Sequence, residues 1–199
     1  MGLTSEQVHW LFGGVLAGAS ILLILRDAGR IDWRSLDYLV PALLALLGIE
    51  LLLDPLVHGD AAPTNYGMET AQHFALGILL VATSGAELVR VRRGGEGLAW
   101  RLPLAFALLI AAANFIFHAQ HDSAAPMILL MTQHRMIGAT LGVAALAVLV
   151  GRRDVRSRLH HPAFPLLMLL LGAQLLIYTE GNSLIPGGTS MQGHEMART

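Results

Sequence analysis

The first apolar stretch of the chain reads HWLFGGVLAGASILLILR, from His9 to Arg26. A histidine opens it, a glycine follows one turn later at Gly13, and no charged residue interrupts it before Arg26. A helix needs about 20 apolar residues to cross a bilayer. Five more such stretches follow, so we predict an all-α membrane protein whose six transmembrane helices lie near residues 7–25, 36–58, 68–89, 102–120, 127–150 and 163–180.

The opening pattern returns twice, as HFALG from His73 to Gly77 and as HRMIG from His134 to Gly138. Each of these helices ends at an arginine, and each helix between them carries a proline near its start. The prolines, spaced 62 residues apart, are Pro41, Pro103 and Pro165. Matched residues at a fixed period indicate an internal repeat. We therefore expect one domain, 1–199, made of three tandem helical hairpins over approximately 7–60, 68–122 and 127–183, with a flexible outer tail at 184–199.

The composition restricts the class of protein further. Hydrophobic residues make up 54% of the chain and charged residues 14%, whereas soluble domains carry about 25% charged residues. The chain has no cysteine, which excludes disulfides and thiolate metal sites. Because no basic domain lies outside the membrane spans, we expect no nucleic-acid partner and take the lipid bilayer as the surroundings of the chain.

The arginines predict the orientation in the membrane. Eleven of the thirteen arginines lie in the connections that follow the first, third and fifth helices. Connections rich in arginine stay on the cytoplasmic side, so both termini are expected outside. We therefore expect an integral protein of the bacterial inner membrane, with its functional site facing the extracytoplasmic side.

Histidines are sorted to the side opposite the arginines, where seven of the nine fall, together with carboxylates and methionines. An acidic side chain inside the bilayer costs about 2.5–3.5 kcal/mol and normally faces a partner or a wet cavity. Imidazole suits copper and zinc, and thioether sulfur favours Cu(I). We predict a copper or zinc site used in metal transport, delivery or homeostasis, supplied by a periplasmic or extracellular metal-donor protein. The candidate ligands are His9, His58, His73, His118, His121, His134, Asp54, Glu69, Asp122, Met127, Met131 and Glu180.

An alternative cofactor is haem b. The fifth helix reads HRMIGATLG from His134, and it resembles the histidine-bearing helices of transmembrane b-type cytochromes. That resemblance implies electron transfer through an iron held by histidines of two neighbouring helices, here His73 and His134. Gly77 and Gly138 would leave space for the porphyrin, and Arg135 would pair with a propionate.

A third interpretation is a membrane metallohydrolase, with zinc held by the histidines of HAQHD, from His118 to Asp122. Catalytic zinc combines three protein ligands with an open water position. The chain contains no HExxH signature and no evident oxyanion group, so the residues favour binding or transport over catalysis. A purely structural helix bundle would explain the helices, but it would not explain why the histidines are sorted to one side.

Overall fold

The computed structural model describes residues 5–57, 66–117, 127–151 and 162–179. These residues contain no strand, and a short 3₁₀ helix, Arg34–Tyr38, precedes the second α-helix. Five of the α-helices are long and apolar enough to cross a membrane, whereas the sixth is apolar but only 14 residues long. The predicted all-helical class is therefore confirmed, and the five long apolar helices are compatible with a membrane protein. The α-helices are α1 (Ser5–Asp27), α2 (Leu39–Val57), α3 (Tyr66–Arg93), α4 (Leu98–Phe117), α5 (Met127–Val150) and α6 (Ala163–Leu176).

The surface of the helices is as apolar as their interior. Large side chains such as Ile78, Phe106 and Val150 are more than half exposed, at 61%, 62% and 76%. The buried core is made of leucine, isoleucine and small residues contributed by all six helices. A soluble protein rarely exposes a contiguous apolar surface of this kind, whereas lipid chains cover it at no cost.

The helices form a ring in chain order, and the ring closes because α1 packs against α6. Three contacts are extensive, those of α2 with α3, α4 with α5 and α1 with α6. The contacts of α3 with α4 and α5 with α6 are smaller, and α1 barely meets α2. Extensive and smaller contacts therefore alternate around the ring.

Each extensive contact is a close crossing between small residues. A Cβ atom added to Gly13 of α1 would lie 2.9 Å from the carbonyl oxygen of Gly172 on α6. In the same way, one added to Gly77 would lie 2.9 Å from the Gly48 oxygen, and one added to Gly138 would lie 2.8 Å from the Ala112 oxygen. The glycine after each repeated histidine therefore lets a neighbouring helix backbone approach.

The closest pairs differ from the hairpins expected from the sequence. The predicted units join α1 to α2, α3 to α4 and α5 to α6, whereas the extensive contacts join each even helix to the next odd helix, and α6 to α1. The packing also repeats a helix pair three times, but each pair begins one helix later in the chain than the predicted hairpin. The third pair is assembled from the two ends of the described chain, so the tandem hairpin boundaries stay a prediction.

Ion pairs fix the end of the ring that carries the arginines, which we call the arginine end. Arg26 at the end of α1 contacts Asp37 of the 3₁₀ helix, with 3.1 Å between Nη1 and Oδ1. Arg90 near the end of α3 contacts Glu87, with 2.7 Å between Nε and Oε2. Glu87 is 1% exposed and is among the largest fully buried side chains of the described residues. The opposite end, which carries His9, His73 and His134, is the histidine end.

Candidate functional site

Two of the three repeated histidines continue the core-facing stripes of their helices. On α3, Leu76, Leu80 and Thr83 are buried at alternating spacings of three and four residues, and His73 precedes Leu76 by three. On α5, His134 precedes the buried Ile137 by three residues. Residues at these spacings share one face of a helix. His73 and His134 therefore lie on the helix faces that point into the ring.

Two of these histidines meet at one tyrosine. The rings of His9 on α1 and Tyr178 are stacked, with 3.9 Å between centroids and 14° between planes. The ring of His134 on α5 approaches the same phenol edge-on, at 5.8 Å. His134 is 8% exposed and Tyr178 is 3% exposed. We call His9, His134 and Tyr178 the His–Tyr cluster.

Tyr178 occupies its position because the chain leaves the helical path there. Helix α6 ends at Leu176, and the amides of Ile177 and Tyr178 still donate to carbonyl oxygens of its last turn, at 3.2 and 3.3 Å. The indole nitrogen of Trp10 donates to the carbonyl oxygen of Tyr178 at 2.8 Å. These contacts fix the backbone on which the phenol ring stands.

Thr179 attaches the same segment to both neighbouring helices. Its hydroxyl donates to Oε1 of Glu6 on α1 at 2.8 Å. Its amide donates to Oε1 of Gln133 at 3.2 Å, while Nε2 of Gln133 donates back to its carbonyl oxygen at 3.3 Å. Residues close to the two ends of the described chain therefore meet at the histidine end, and Tyr178 is held between α1 and α5.

A backbone contact orients the imidazole of His134. Its Nδ1 lies 2.9 Å from the carbonyl oxygen of Leu130. A carbonyl oxygen only accepts hydrogen bonds, so Nδ1 carries the proton. In the neutral ring the lone pair is then on Nε2, which is the arrangement found in histidines that bind metals.

A second polar contact lies deeper between α5 and α6. The hydroxyl of Thr140 donates to the carbonyl oxygen of Met136 at 3.0 Å, and Nε2 of Gln174 donates to that hydroxyl oxygen at 3.0 Å. Since the single hydroxyl proton is already used, the amide nitrogen of Gln174 must face Thr140. Polar contacts between α5 and α6 thus reach from the His–Tyr cluster toward the middle of the helices.

The structure describes only part of the predicted ligand set. Among the residues described, Met131 is half-buried on α5, and Arg135, suggested for a haem propionate, is exposed. The described part of the chain contains no group of three or more histidines, cysteines or acids placed to hold a metal. Five predicted ligands lie outside the described residues, namely His58, His118, His121, Asp122 and Glu180, and so do the side chains of Asp54, Glu69 and Met127.

Sequence reasoning did not single out Trp10, Gln133 or Thr179. Tyr178 was placed on the outer side of the last helix, with Gln174 and Glu180, but not among the ligands. Its contacts with His9 join residues that are far apart in the chain, and they depend on closure of the ring between α1 and α6. No local pattern carries that information.

The fold and the cluster together define an all-helical protein with helices apolar enough to cross a membrane and two imidazoles gathered at one end. Comparison with protein-family models, with curated proteins and with solved structures finds no match to this chain.

Proposed function

We propose that this protein is an integral membrane protein that binds a transition-metal ion, copper before zinc, at its histidine end. In this proposal it faces the extracytoplasmic side of the bacterial inner membrane and acts in metal transport, delivery or homeostasis. The convergence of His9 and His134 on one buried position supports it most directly. The two histidines come from the first and fifth helices, so their meeting is a product of the fold.

The chemistry of the described side chains agrees with copper. Neutral imidazole is a good ligand for copper, and ligand histidines usually donate their other ring N–H to a carbonyl or a carboxylate. His134 makes such a contact with Leu130. Glu6 lies beside the cluster through Thr179, and it adds the negative charge that favours a cation nearby.

The core between the two ends favours delivery at one face over passage through the protein. The described core there is mainly apolar and draws residues from all six helices, with the buried Ser20, Thr83 and Thr140 as exceptions. The hydroxyls of Ser20 and Thr83 donate to carbonyl oxygens of their own helices, at 2.7 and 2.8 Å. We therefore favour a membrane-anchored site that exchanges metal with a donor protein on the same side.

Haem b is the alternative cofactor, held by His73 and His134. The two glycines that were expected to leave space for it, Gly77 and Gly138, are already explained by helix packing. The space that a porphyrin would need beside Gly77 and Gly138 is filled by backbone and side chains of α2 and α4. The two cofactors differ in the visible spectrum, because a porphyrin absorbs intensely and a bare metal site does not. A spectrum of the purified protein distinguishes them.

Copper is expected to quench the fluorescence of Trp10. The indole of Trp10 donates to the backbone of Tyr178, so an ion bound to the cluster lies close to it. The other two tryptophans, Trp33 and Trp100, lie at the arginine end beside Arg34 and Arg101. The measurement is a titration of detergent-purified protein with Cu(II) and, separately, with Cu(I), following tryptophan emission.

Tryptophan variants provide matched controls for this titration. Trp10→Phe should remove most of the copper-dependent quenching, whereas Trp33→Phe and Trp100→Phe should keep it. Equal loss in all three variants, or no quenching by either oxidation state, would place the copper away from the His–Tyr cluster and contradict the proposed site.

A further inference from the structure

We infer that a groove on the outer surface of α4 and α5 holds the acyl chain of a phospholipid, and that Arg135 binds the phosphate of the same lipid molecule. The inference is independent of the proposed metal site, because it uses the surface of the bundle that faces the lipid. It also gives a role to Arg135, which neither helix packing nor the proposed function uses.

The groove lies where α4 and α5 cross and has a volume of about 420 Å³. Small residues of both helices, Ala112, Gly138 and Gly142, leave this space, and larger exposed side chains such as Phe117 and Leu146 border it. All the residues that line it are apolar. Ligand sites in proteins are commonly clefts of about 300–1,000 Å³ with mainly apolar walls. The size and the lining of the groove therefore suit a hydrocarbon chain.

Arg135 lies on the same face of α5 as the groove, one turn closer to the histidine end. It precedes Gly138 by three residues and Gly142 by seven, and residues at these spacings share one face of a helix. Its Cα atom lies about 12 Å along the helix from Met127, the first residue of α5. Long side chains inside a span extend their charge toward the membrane surface, and helical side chains lean toward the N-terminus of their helix. The guanidinium is therefore placed between the groove and the lipid headgroups.

Arg135 needs a negative partner that the two groove helices do not contain. The side chain of Arg135 is exposed, and it is not among the ion-paired arginines of the described residues. Neither α4 nor α5 contains an aspartate or a glutamate. A charged side chain within a membrane span is costly and normally pairs with an opposite charge. At a position that faces lipid, a phosphate supplies that charge, and arginine donates two parallel hydrogen bonds to it.

The same arginine disfavours a second copy of this chain in the groove. Small residues such as Gly138 and Gly142 are also found where transmembrane helices pack together. A two-fold symmetric dimer through this face would use the same patch of both copies, so the two Arg135 side chains would meet at the same depth. Like charges repel strongly where the dielectric constant is low, whereas a phosphate at this place attracts the arginine. The charge therefore favours a phospholipid over a second copy.

The test is lipid binding to the full-length protein in mild detergent, followed by native mass spectrometry. The probe is phosphatidylglycerol, and its matched probe is a diacylglycerol with the same acyl chains and no phosphate. We expect one phosphatidylglycerol molecule to be retained per chain. Diacylglycerol should bind at least about tenfold more weakly, which is the lower end of what hydrogen bonds to a charged group contribute. Glycerol phosphate, which has no acyl chain, should not displace the lipid.

Arg135→Gln removes the charge at an exposed position, so the variant should fold like the wild type. It should bind phosphatidylglycerol at least about tenfold more weakly, for the same reason, and should leave diacylglycerol binding unchanged. Arg92→Gln is the control, because Arg92 is also exposed and lies at the arginine end of α3. It should leave the binding of both lipids unchanged.

Gly142→Leu tests the groove separately from the charge. A Cβ atom at Gly142 would meet only the Cβ atom of Ala112, at 3.9 Å, which is an ordinary contact. The helices can therefore stay together while the leucine occupies the space of the acyl chain, and binding of both lipids should weaken. Gly18→Leu adds the same side chain on α1, where a Cβ atom would meet nothing within 4 Å, and should leave both lipids bound.

Three results would overturn the inference. The first is equal binding of phosphatidylglycerol and diacylglycerol, and the second is phosphatidylglycerol binding that is unchanged in Arg135→Gln or in Gly142→Leu. The third is a dimeric wild-type protein that becomes monomeric in Gly142→Leu, because the groove would then belong to a second copy. Copper binding is measured separately, so none of these results decides the proposed function.

Discussion

Replacing Arg90 with alanine is expected to destabilise the folded protein by about 3–5 kcal/mol, the range found when one partner of a buried ion pair is removed. The reason is the position of Glu87, whose carboxylate is 1% exposed and lies 2.7 Å from the Arg90 guanidinium. Without that partner, a charged carboxylate stays inside the bundle, or the bundle opens to admit water. Thermal unfolding followed by circular dichroism in detergent measures the change.

Arg92→Ala is the matched control for this prediction. Arg92 lies two residues further along the last turn of α3, is exposed, and is not among the ion-paired arginines of the described residues. Exposed charges of this kind change stability by less than about 1 kcal/mol. If Arg90→Ala and Arg92→Ala behaved alike, the ion pair within α3 would not be a main source of stability.

A methyl group added at Gly13 is expected to destabilise the protein by about 1–3 kcal/mol, the usual cost of overpacking a tight interior. The new Cβ atom would lie 2.8 Å from the backbone nitrogen of Leu176 and 2.9 Å from the Gly172 oxygen. Both are backbone atoms, so relief requires α1 and α6 to separate. Separation of these helices would also move His9 away from Tyr178, and copper binding should weaken together with stability.

The neighbouring residue provides the control. A Cβ atom at Gly14 would meet nothing within 4 Å, and alanine is a better helix former than glycine by about 1 kcal/mol. Gly14→Ala should therefore leave the unfolding temperature unchanged or raise it. Equal effects at the two positions would show that the close crossing of α1 and α6 is not what limits stability.

The existence of the helices could be predicted from the sequence, because apolar length alone is enough to identify them. The exception is the end of the last helix, expected near residue 180 and found at Leu176. Beyond that end, Trp10 and Gln133 bind the backbone of Tyr178 and Thr179. These partners are far away in the sequence, so a hydropathy pattern along the chain cannot indicate them.

The pattern of histidine followed by glycine predicted a close approach but not its partner. Gly77 and Gly138 were expected to leave space for a porphyrin, and the structure places a helix against each of them and against Gly13. Which helix it is depends on how the ring closes. The pairing of α1 with α6 joins the two ends of the described chain, and no repeat unit drawn in chain order contains it.

The candidate site was predictable in its location and less so in its composition. Sorting of the histidines indicated one end of the bundle, and His9 and His134 do meet there. The tyrosine between them was not predicted as a ligand, because its place between α1 and α5 depends on tertiary contacts of Trp10 and Thr179. A sequence pattern shows which side chains share a face of one helix, but it does not show which faces meet.

The most direct test of the proposed function is the copper content of purified protein, measured by elemental analysis with a visible spectrum on the same samples. The wild-type protein should carry copper close to one ion per chain and show no porphyrin band. His134→Ala and His73→Ala should lose most of the metal, as should His9→Ala, whereas His160→Ala, on the arginine side of the sequence, should keep it. Equal copper in all five samples, or an intense porphyrin band in the wild type, would contradict the account.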